Sequence, residues 1–398
     1  MLTGRVDPYG FYADARRQAP LFYSHAVNAW VAVKHRHVRE VLEDGERFRP
    51  LPAGPGSSAV HGRVILHMED KEHRFHAGLL GKWIRSRRRL AGDLRALTER
   101  VTRSIMESIP YGDPVDLHAS LNTDVPMIVT ATFMGIPNVA AFRPWYVAIG
   151  QASVSNVRGD PEVQRRGQEA RDSLAEWLQP EIDSRRERPR DDLLSDLATA
   201  EYDGNPLSND QIASTCSLLL AAGVETTSRA LTNLQRRLFF EPELWDQLRA
   251  NRDLLLPACA EILRFAPPAH GLIRCATSDT ELAGVDIGAG QRVMVLIGSA
   301  NRDEDVFNDP ERFVMARFAD SAFRQFTPKA DILPFGAGTH HCTGSLLAQM
   351  EMEVVMSQLL DRVGRADFVG EPPAEYGYVL RSPRELVVSL TPDLASAP

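Results

Sequence analysis

A lone cysteine follows a pair of histidines in the stretch PFGAGTHHCTG, which ends at Gly344. The two glycines before the histidines relax the backbone and leave room for a close approach. A run that predicts a helix begins near Gly344, and the N–H groups at a helix start stabilise a thiolate. Cys342 is therefore a candidate metal ligand. The alternatives are a nucleophile activated by His340 or His341, and a small buried apolar side chain.

An acid and an alcohol stand side by side in a second stretch, AGVETT. The pattern predicts one helix from Asn209 to Phe240, about 48 Å long at 1.5 Å per residue, with Ser208 as its N-cap. Gly223 costs roughly 1 kcal/mol relative to alanine inside a helix, and Thr226 can bond back to a carbonyl one turn earlier. Glu225 and Thr226 beside this weakened turn suit proton delivery to a bound ligand. The alternative is a helix-packing glycine with an incidental acid and alcohol.

A third motif, EILR, places Glu261 and Arg264 on one face of a predicted helix. As an exposed pair they would contribute only roughly 0.2–0.5 kcal/mol and carry no function. Arg312 follows about fifty residues later in the irregular segment NDPERF. We expect Arg312 to complete a buried Glu-Arg-Arg network with this pair.

Composition limits the classes of function. The chain has 398 residues, 43% of them hydrophobic, and a net charge of −8, which argues against nucleic acid as a main partner. Its four cysteines lie far apart without a C-x-x-C pair, which disfavours a disulfide framework and a zinc cluster. No apolar run has the length of a signal peptide or a membrane span, so we expect a cytoplasmic protein.

The elements that must position these motifs are mostly helical. Helical periodicity dominates from about residue 70 to 263, and a strand near residues 30–33 precedes a short helix. The stretch TELAGVDIGAGQRVMVLIGSAN predicts a hairpin and a buried strand, and LRSPRELVVSL predicts a second hairpin. Residues 49–63, rich in Pro, Gly and Ser, predict a long irregular loop. The fold class is therefore mainly α with minor β structure.

Together these motifs resemble the cytochrome P-450 superfamily of heme-thiolate monooxygenases, in its soluble bacterial class. FGAGTHHCTG is similar to the F-G-x-G-x-H-x-C-x-G heme loop, AGVETT to the A-G-x-[DE]-T-[TS] oxygen-binding segment, and EILR with DPERF to the E-x-x-R and meander motifs. Four such motifs in the right order leave little room for coincidence. The resemblance implies one heme domain over residues 1–398, with a long central helix across the heme.

The resemblance also implies roles for single residues. Those assigned to heme b are Cys342 as the iron ligand, His340, Arg274 and His73 as propionate contacts, Phe335 as the shield of the sulfur, and Gly336, Gly338 and Gly344 as loop-shaping glycines. Thr226 would hold the oxygen species, Glu225 would relay protons and Gly223 would open the helix for O₂. The family commonly has arginines where this chain has Phe75 and Ala77, so Arg74 or His76 is expected to take their place.

The implied activity is hydroxylation or epoxidation of a small organic substrate with O₂, most plausibly in the tailoring of a bacterial natural product such as an antibiotic. No flavin or iron–sulfur segment is visible, so electrons from NAD(P)H would arrive through a separate ferredoxin and its reductase. A basic run of Arg85, Arg87, Arg88 and Arg89 is a candidate docking patch, with a solvated face as the alternative. The substrate arrives either free or tethered to a carrier protein. No nucleic acid or membrane partner is expected.

By the same resemblance, five segments should form the substrate pocket: residues 49–63, residues 145–157, the central helix around Leu219, residues 269–273 and residues 376–380. Three other functions stay open at this point. A heme-thiolate enzyme can instead catalyse oxidative coupling, nitration or peroxide-driven oxidation. A heme protein can also sense a gas or carry electrons, although neither role needs the proton relay of AGVETT. The last alternative is a cysteine-nucleophile enzyme without heme.

Overall fold

The longest helix forms where the sequence predicts it, from Asn209 to Phe240, and we call it the central helix. The Ser208 hydroxyl accepts the Gln211 N–H at 3.2 Å, while the Gln211 side chain accepts the Ser208 N–H at 2.8 Å. This reciprocal capping box satisfies two of the donors that a helix start leaves open. Most of its residues are buried, because it packs against helices on several sides of the molecule.

The structure is a computed structural model that describes residues 7–51, 60–136, 142–156 and 159–393, without the side chains of residues 154 and 155. Besides the central helix, the α-helices of these residues are Tyr9–Gln18, His35–Glu43, Asp70–Ile84, Arg87–Ala91, Asp93–Ser108, Asp124–Met134, Arg143–Gly150, Pro161–Glu187, Leu193–Ala198, Pro242–Ala250, Leu255–Phe265, Ile297–Ala300 and Ser345–Arg362. The predicted class, mainly α with minor β structure, is confirmed. None of the helices in the described ranges is both long and apolar enough to cross a membrane.

The strands are β1 Leu21–Ser24, β2 Ala29–Ala32, β3 Phe48–Pro50, β4 Pro114–Asp116, β5 Glu201–Tyr202, β6 Asn205–Pro206, β7 Leu272–Ala276, β8 Thr280–Leu282, β9 Val285–Ile287, β10 Arg292–Val295, β11 Val363–Phe368 and β12 Val387–Pro392. The largest sheet has the order β1-β2-β10-β7-β3, with β2 and β10 parallel and the other neighbours antiparallel. A smaller sheet has the order β11-β12-β4, and β5-β6 and β8-β9 pair as short hairpins. The predicted hairpin of β8 and β9 and the buried strand β10 are thereby confirmed.

The second predicted hairpin, in LRSPRELVVSL, is wrong. Only its last part forms a strand, β12, which pairs with β11 and β4 rather than with the residues before it. Pro383 has no N–H to donate to a ladder. The residues ahead of it pair elsewhere instead: Leu380 bridges to Ala269, and the Arg381 N–H donates to the Pro268 carbonyl at 2.8 Å.

Two hydrophobic cores meet at the segment that leads into the cysteine. The main core surrounds the central helix and includes Ile332, with Phe335 packed against it. A second core lies between the large sheet and the helix His35–Glu43, and it includes Leu333 and Ala337. Neighbouring residues of one short stretch are thus anchored in different cores, which fixes the path of the chain into the cysteine loop.

Candidate active site

The cysteine loop, Phe335 to Gly344, turns on backbone contacts. The Cys342 N–H donates to the Phe335 carbonyl at 2.8 Å, which closes the loop. Gly336 and Gly338 have φ angles of +71° and +67°, which residues with a side chain rarely adopt. A Cβ on Gly338 would lie 2.8 Å from the Cα of Glu43. The loop is therefore seated on the helix His35–Glu43 so closely that only glycine fits there.

Backbone donors surround the Cys342 thiol. The helix Ser345–Arg362 begins just after the loop, as predicted. Part of the Cys342 residue is accessible to solvent. The protein atoms packed around its thiol nevertheless exclude much of the water there, and this desolvation raises the pKa of the thiol. The N–H groups of Gly344 and Ser345 and the charge of Arg85 oppose this and lower the pKa. The helix start and the nearby cation thus offset part of the desolvation, and both are features that favour a cysteine acting as a metal ligand.

The other arrangements predicted for a cysteine fit less well. Burial raises the pKa of Cys216 to about 12 and raises that of Cys259 further, so both remain thiols. Among the described residues, neither His340 nor His341 is hydrogen-bonded to the Cys342 sulfur. A nucleophile needs such a base within reach. The geometry therefore favours a ligand over a nucleophile.

A polar cluster near the cysteine loop joins three of the predicted cofactor contacts. The rings of His73 and His340 lie 4.4 Å apart, and the His340 Nε2 lies 3.3 Å from the Glu69 carboxylate. Burial, with a smaller effect of Arg274, lowers the pKa of His340 to about 4. The imidazole is therefore neutral at pH 7, and its contact with Glu69 is a hydrogen bond rather than an ion pair.

This cluster fits an anionic cofactor. Arg274 is buried, and its guanidinium donates to the Ile273 carbonyl at 3.3 Å. Burial lowers the pKa of Arg274, the charge of Glu69 opposes this, and no carboxylate among the described residues forms a salt bridge with it. The buried Nδ1 of His73 has no hydrogen-bond partner in the part of the chain that the structure describes. A buried cation and a buried unpaired nitrogen match the two propionates of a heme, because such groups require partners.

The two residues that stand in place of the family's arginines make no contribution of this kind. The Phe75 ring packs 5.2 Å from the rings of His76 and of Tyr202, and Ala77 has no polar side chain. Arg74 is exposed, and His76 is buried against Phe75. The expected replacement by Arg74 or His76 is therefore not supported by the contacts that these two side chains make.

The middle of the central helix opens on one side. Leu219, Gly223 and Thr226 share a face and are half-buried, within a helix whose other residues are mostly buried. The Thr226 hydroxyl donates to the Ala222 carbonyl at 2.8 Å, as predicted. A Cβ on Gly223 would lie 3.4 Å from the Thr130 Oγ1, an ordinary contact. Helix packing alone therefore does not require glycine here.

Both oxygens of the Glu225 carboxylate are occupied. Tyr146 donates its hydroxyl at 2.7 Å, and Arg229 donates its Nε at 2.9 Å to the other oxygen. Arg229 also donates to the Ser382 hydroxyl at 3.0 Å. The backbone of Gly150, one turn after Tyr146, leaves space for the carboxylate, since a Cβ there would lie 3.3 Å from Oε1. Glu225 is thus held by Tyr146 and by Arg229 of its own helix, and Arg229 is in turn bonded to Ser382.

Sequence reasoning missed these partners of Glu225. The contact of Arg229 with Glu225 could have been predicted, because residues four apart on a helix are neighbours. Tyr146 and Ser382 carried none, since they lie 79 and 157 residues away from Glu225 in the sequence. Burial, then the Glu225 charge, raises the pKa of Tyr146 well above its ordinary value, so the phenol stays neutral and donates.

The predicted Glu-Arg-Arg network forms with a different third member. Arg264 makes two hydrogen bonds of 2.8 Å to Glu261, and both side chains are fully buried. The side chain that completes the network is that of Arg317, at 3.1 Å. Arg312 is exposed, and its carbonyl accepts from Arg264 at 2.9 Å and from Arg317 at 3.3 Å. The prediction of Arg312 was wrong, because the turn after it carries Arg317 back to Glu261.

This network supports the cysteine side of the site. Arg264 donates to the Asn301 carbonyl at 3.1 Å, and the Asn301 side chain accepts the Leu333 N–H at 2.9 Å. Leu333 lies at the entrance to the cysteine loop. The buried pair is therefore connected to the loop through one asparagine.

Two predicted pocket segments come together. Ala269 bridges to Leu380, and the His270 N–H donates to the Val379 carbonyl at 2.7 Å, which joins residues 269–273 to residues 376–380. Asn233 of the central helix donates to the Ala266 carbonyl at 2.9 Å, just before the first of these segments. Trp145 instead packs on the main core. Residues 52–59 and Val157 lie outside the described residues.

The basic run divides into two parts. Arg89 pairs with Asp191 at 2.6 Å and stacks on the Trp83 ring at 3.8 Å. Arg85, Arg87 and Arg88 are exposed, and none of them forms a salt bridge within the described ranges. We call these three the basic patch. Arg85 differs from the other two because it donates to the His341 carbonyl at 3.2 Å.

Comparison with known proteins gives a consistent result. The cytochrome P-450 family model matches residues 77–364. Nocardicin C N-oxygenase of Nocardia uniformis subsp. tsuyamanensis is 30% identical, with 96% of each chain covered. Erythromycin C-12 hydroxylase of Saccharopolyspora erythraea is 32% identical, with 84% of this chain and 82% of the relative covered. A solved cytochrome P-450 from Chondromyces apiculatus superposes with a TM-score of 0.84 at 25% identity, over 99% of this chain and 97% of the other.

Proposed function

The chain belongs to the cytochrome P-450 family, and from that premise we propose that it is a heme-thiolate enzyme that inserts oxygen from O₂ into a small organic molecule by hydroxylation or epoxidation. Relatives of the chain are named as oxygenases and hydroxylases, which supports monooxygenase chemistry. The observation that carries the proposal is the position of Cys342. It lies at a helix start, in a backbone-closed loop, close to His73 and Arg274, which are buried and form no salt bridge with a carboxylate among the described residues.

In this proposal the chain holds heme b through the residues of the cysteine side. Cys342 is the iron ligand, and Phe335, Gly336, Gly338 and Gly344 shape the loop around it. His340, Arg274 and His73 bind the propionates. Bound heme supplies the reductive activation of O₂ and the transfer of one oxygen atom to the substrate.

The central helix supplies protons. Thr226 lies on the open face of the helix, where its hydroxyl can hold a small polar ligand, and Gly223 leaves that face free of a side chain. Glu225 relays protons from solvent. Hydrogen bonds from Tyr146 and Arg229 fix the position of its carboxylate.

Electrons are proposed to come from NAD(P)H through an external ferredoxin and its reductase. The basic patch supports this, because three exposed arginines without carboxylate partners attract an acidic protein surface. We extend the proposal to a single heme domain over residues 1–398, acting in the cytoplasm. A carrier protein that delivers a tethered substrate remains part of the proposal, and it is tested by comparing free and carrier-bound compounds.

The substrate is proposed to be an intermediate of a bacterial natural product. The names of two relatives, which refer to nocardicin C and erythromycin, support this class. The pocket segments add a mixed surface, since Leu219 is apolar and Tyr378 is an exposed tyrosine.

The first test is the absorbance of the reduced protein with carbon monoxide. We expect a strongly red-shifted Soret band, which thiolate ligation produces, and its loss in Cys342→Ala. Cys275→Ala is the matched control, because Cys275 is also a free and partly accessible cysteine and lies on β7 away from the loop. A wild-type protein without the shifted band, or a normal band in Cys342→Ala, contradicts the proposal.

The second test separates the reaction types. Binding spectra across a compound panel identify a substrate, which is then turned over with labelled O₂, NAD(P)H, ferredoxin and reductase. A product that carries the label supports monooxygenation. Oxidative coupling leaves the product unlabelled, nitration adds a nitro group, and a peroxide-driven enzyme works without the electron donors. Each of those three results contradicts the proposed reaction.

A further inference from the structure

Arg85 connects the surface of the protein to the cysteine loop. It directly follows the helix Asp70–Ile84, which also carries His73. Its side chain folds back along this helix, since a Cβ on Gly81 would lie 3.8 Å from the Arg85 Cδ. Its Nη2 then donates to the His341 carbonyl at 3.2 Å. His341 immediately precedes Cys342, so the guanidinium is bonded to the residue next to the cysteine.

The charge of Arg85 is not neutralised by the protein. No carboxylate among the described residues forms a salt bridge with it, whereas the nearby Arg89 is paired with Asp191. The same helix has no arginine at positions 75 and 77. Arg85, at the end of this helix, therefore brings a cation to the cysteine loop.

A positive charge beside an electron acceptor favours the state that holds one more electron. We propose that Arg85 is a positioning residue that holds its charge against the His341 carbonyl and thereby raises the reduction potential of the heme iron. This inference rests on the proposed function, because it requires Cys342 to ligate heme.

The test is a spectroelectrochemical titration of the heme-loaded protein. Arg85→Gln is expected to shift the reduction potential to more negative values. Arg85→Lys keeps the charge and is expected to recover most of the shift. Arg88→Gln is the matched control, because Arg88 is exposed in the same basic patch and makes no contact with the loop. Its potential is expected to stay close to that of the wild type.

Salt sharpens the test. Since Arg85 is exposed, added salt screens its charge, so the difference between wild type and Arg85→Gln should shrink between low and high ionic strength. An unchanged potential in Arg85→Gln overturns the inference. An equal shift in Arg88→Gln, or no recovery in Arg85→Lys, overturns it as well, since the effect would then belong to the patch or to the fold.

The reduced carbon monoxide spectrum keeps the two proposals apart. A wild-type protein that lacks the red-shifted Soret band contradicts the proposed function. A wild-type protein with that band and an Arg85→Gln variant with an unshifted potential contradicts only the role of Arg85. Thermal unfolding of each variant checks that the fold is retained before its potential is compared.

Discussion

On the cysteine side of the site the main contacts come from backbone groups, whereas on the central-helix side they come from side chains of distant segments. Cys342 is held by a carbonyl seven residues before it and by N–H groups just after it. Glu225 is held by Tyr146 and by Arg229, which in turn contacts Ser382. A site can thus combine one half that is encoded locally with another that exists only in the folded chain.

The two halves should respond differently to substitution. The cysteine side has contacts with no space for change, such as Gly338 against the backbone of Glu43 and the buried Glu261 between two arginines. On the central-helix side Glu225, Thr226 and Arg229 are half-buried, so these side chains can change at a smaller cost in stability. We therefore expect changes at these tightly packed groups of the cysteine side to lower the stability most, and changes on the other side mainly to alter the chemistry.

The largest expected effect is that of Glu261→Ala. Removing this carboxylate leaves Arg264 buried without its partner, and breaking a buried pair in this way costs about 3–5 kcal/mol. The free energy of unfolding from denaturant titration measures the loss. Arg312→Ala is the control, and its exposed side chain should change the stability by less than about 0.5 kcal/mol.

A third variant, Arg317→Ala, tests the identity of the third member of the network by the same denaturant titration. Its loss of stability should lie between those of Glu261→Ala and Arg312→Ala, because Arg317 is partly exposed but reaches Glu261. If Arg312→Ala proves as damaging as Glu261→Ala, the network is not built as described here.

Local patterns explain what the sequence could predict. The bounds of the central helix followed from Ser208 and Pro242, and the cysteine loop followed from its glycines. Local patterns could not decide whether Arg312 or Arg317 reaches Glu261, since this depends on a turn in an irregular part of the chain. The Tyr146 hydroxyl was beyond prediction, because its partner lies on another helix and no spacing rule links the two.

A second, pH-dependent effect is expected from Glu351, on the helix that follows the cysteine. Its side chain is buried and one of its oxygens has no partner. Burial raises the pKa of Glu351 to about 8, so the folded protein keeps a proton that the unfolded chain releases above about pH 4.5. Stability from this group therefore falls as pH rises from about 4.5 to 8, by at most about 1.4 kcal/mol per pH unit.

Glu351→Gln should remove this dependence and flatten the unfolding temperature between pH 5 and pH 8, a range set by the raised pKa of Glu351. Glu371→Gln, at an exposed position, is the control and should follow the wild-type curve. A Glu351→Gln curve that falls as steeply as that of the wild type would show that Glu351 does not carry the effect. This test also bears on the comparison of the cysteine side with the central-helix side, because Glu351 is a titrating group on the cysteine side.

The smallest effect is expected on the other half, from Tyr146→Phe. This change removes one hydrogen bond to Glu225 and leaves the bond from Arg229, so stability should fall by only about 0.5–1.5 kcal/mol. A less firmly held acid relays protons less well, and more of the electrons from NAD(P)H should then appear as hydrogen peroxide. The measurement is peroxide formed per NAD(P)H consumed, with a rise of roughly two- to ten-fold, the equivalent of one hydrogen bond.

Glu225→Gln sets the upper limit of this rise, because it removes the acid itself. Tyr23→Phe is the matched control, since the Tyr23 hydroxyl is bonded to Asn28 at the protein surface and not to Glu225. Tyr146→Phe should lie between the control and Glu225→Gln, with the reduced carbon monoxide spectrum unchanged in all three. If Tyr146→Phe instead lost the red-shifted band or unfolded, the two halves would not be separable, and the central-helix side would be as much a part of the scaffold as the cysteine side.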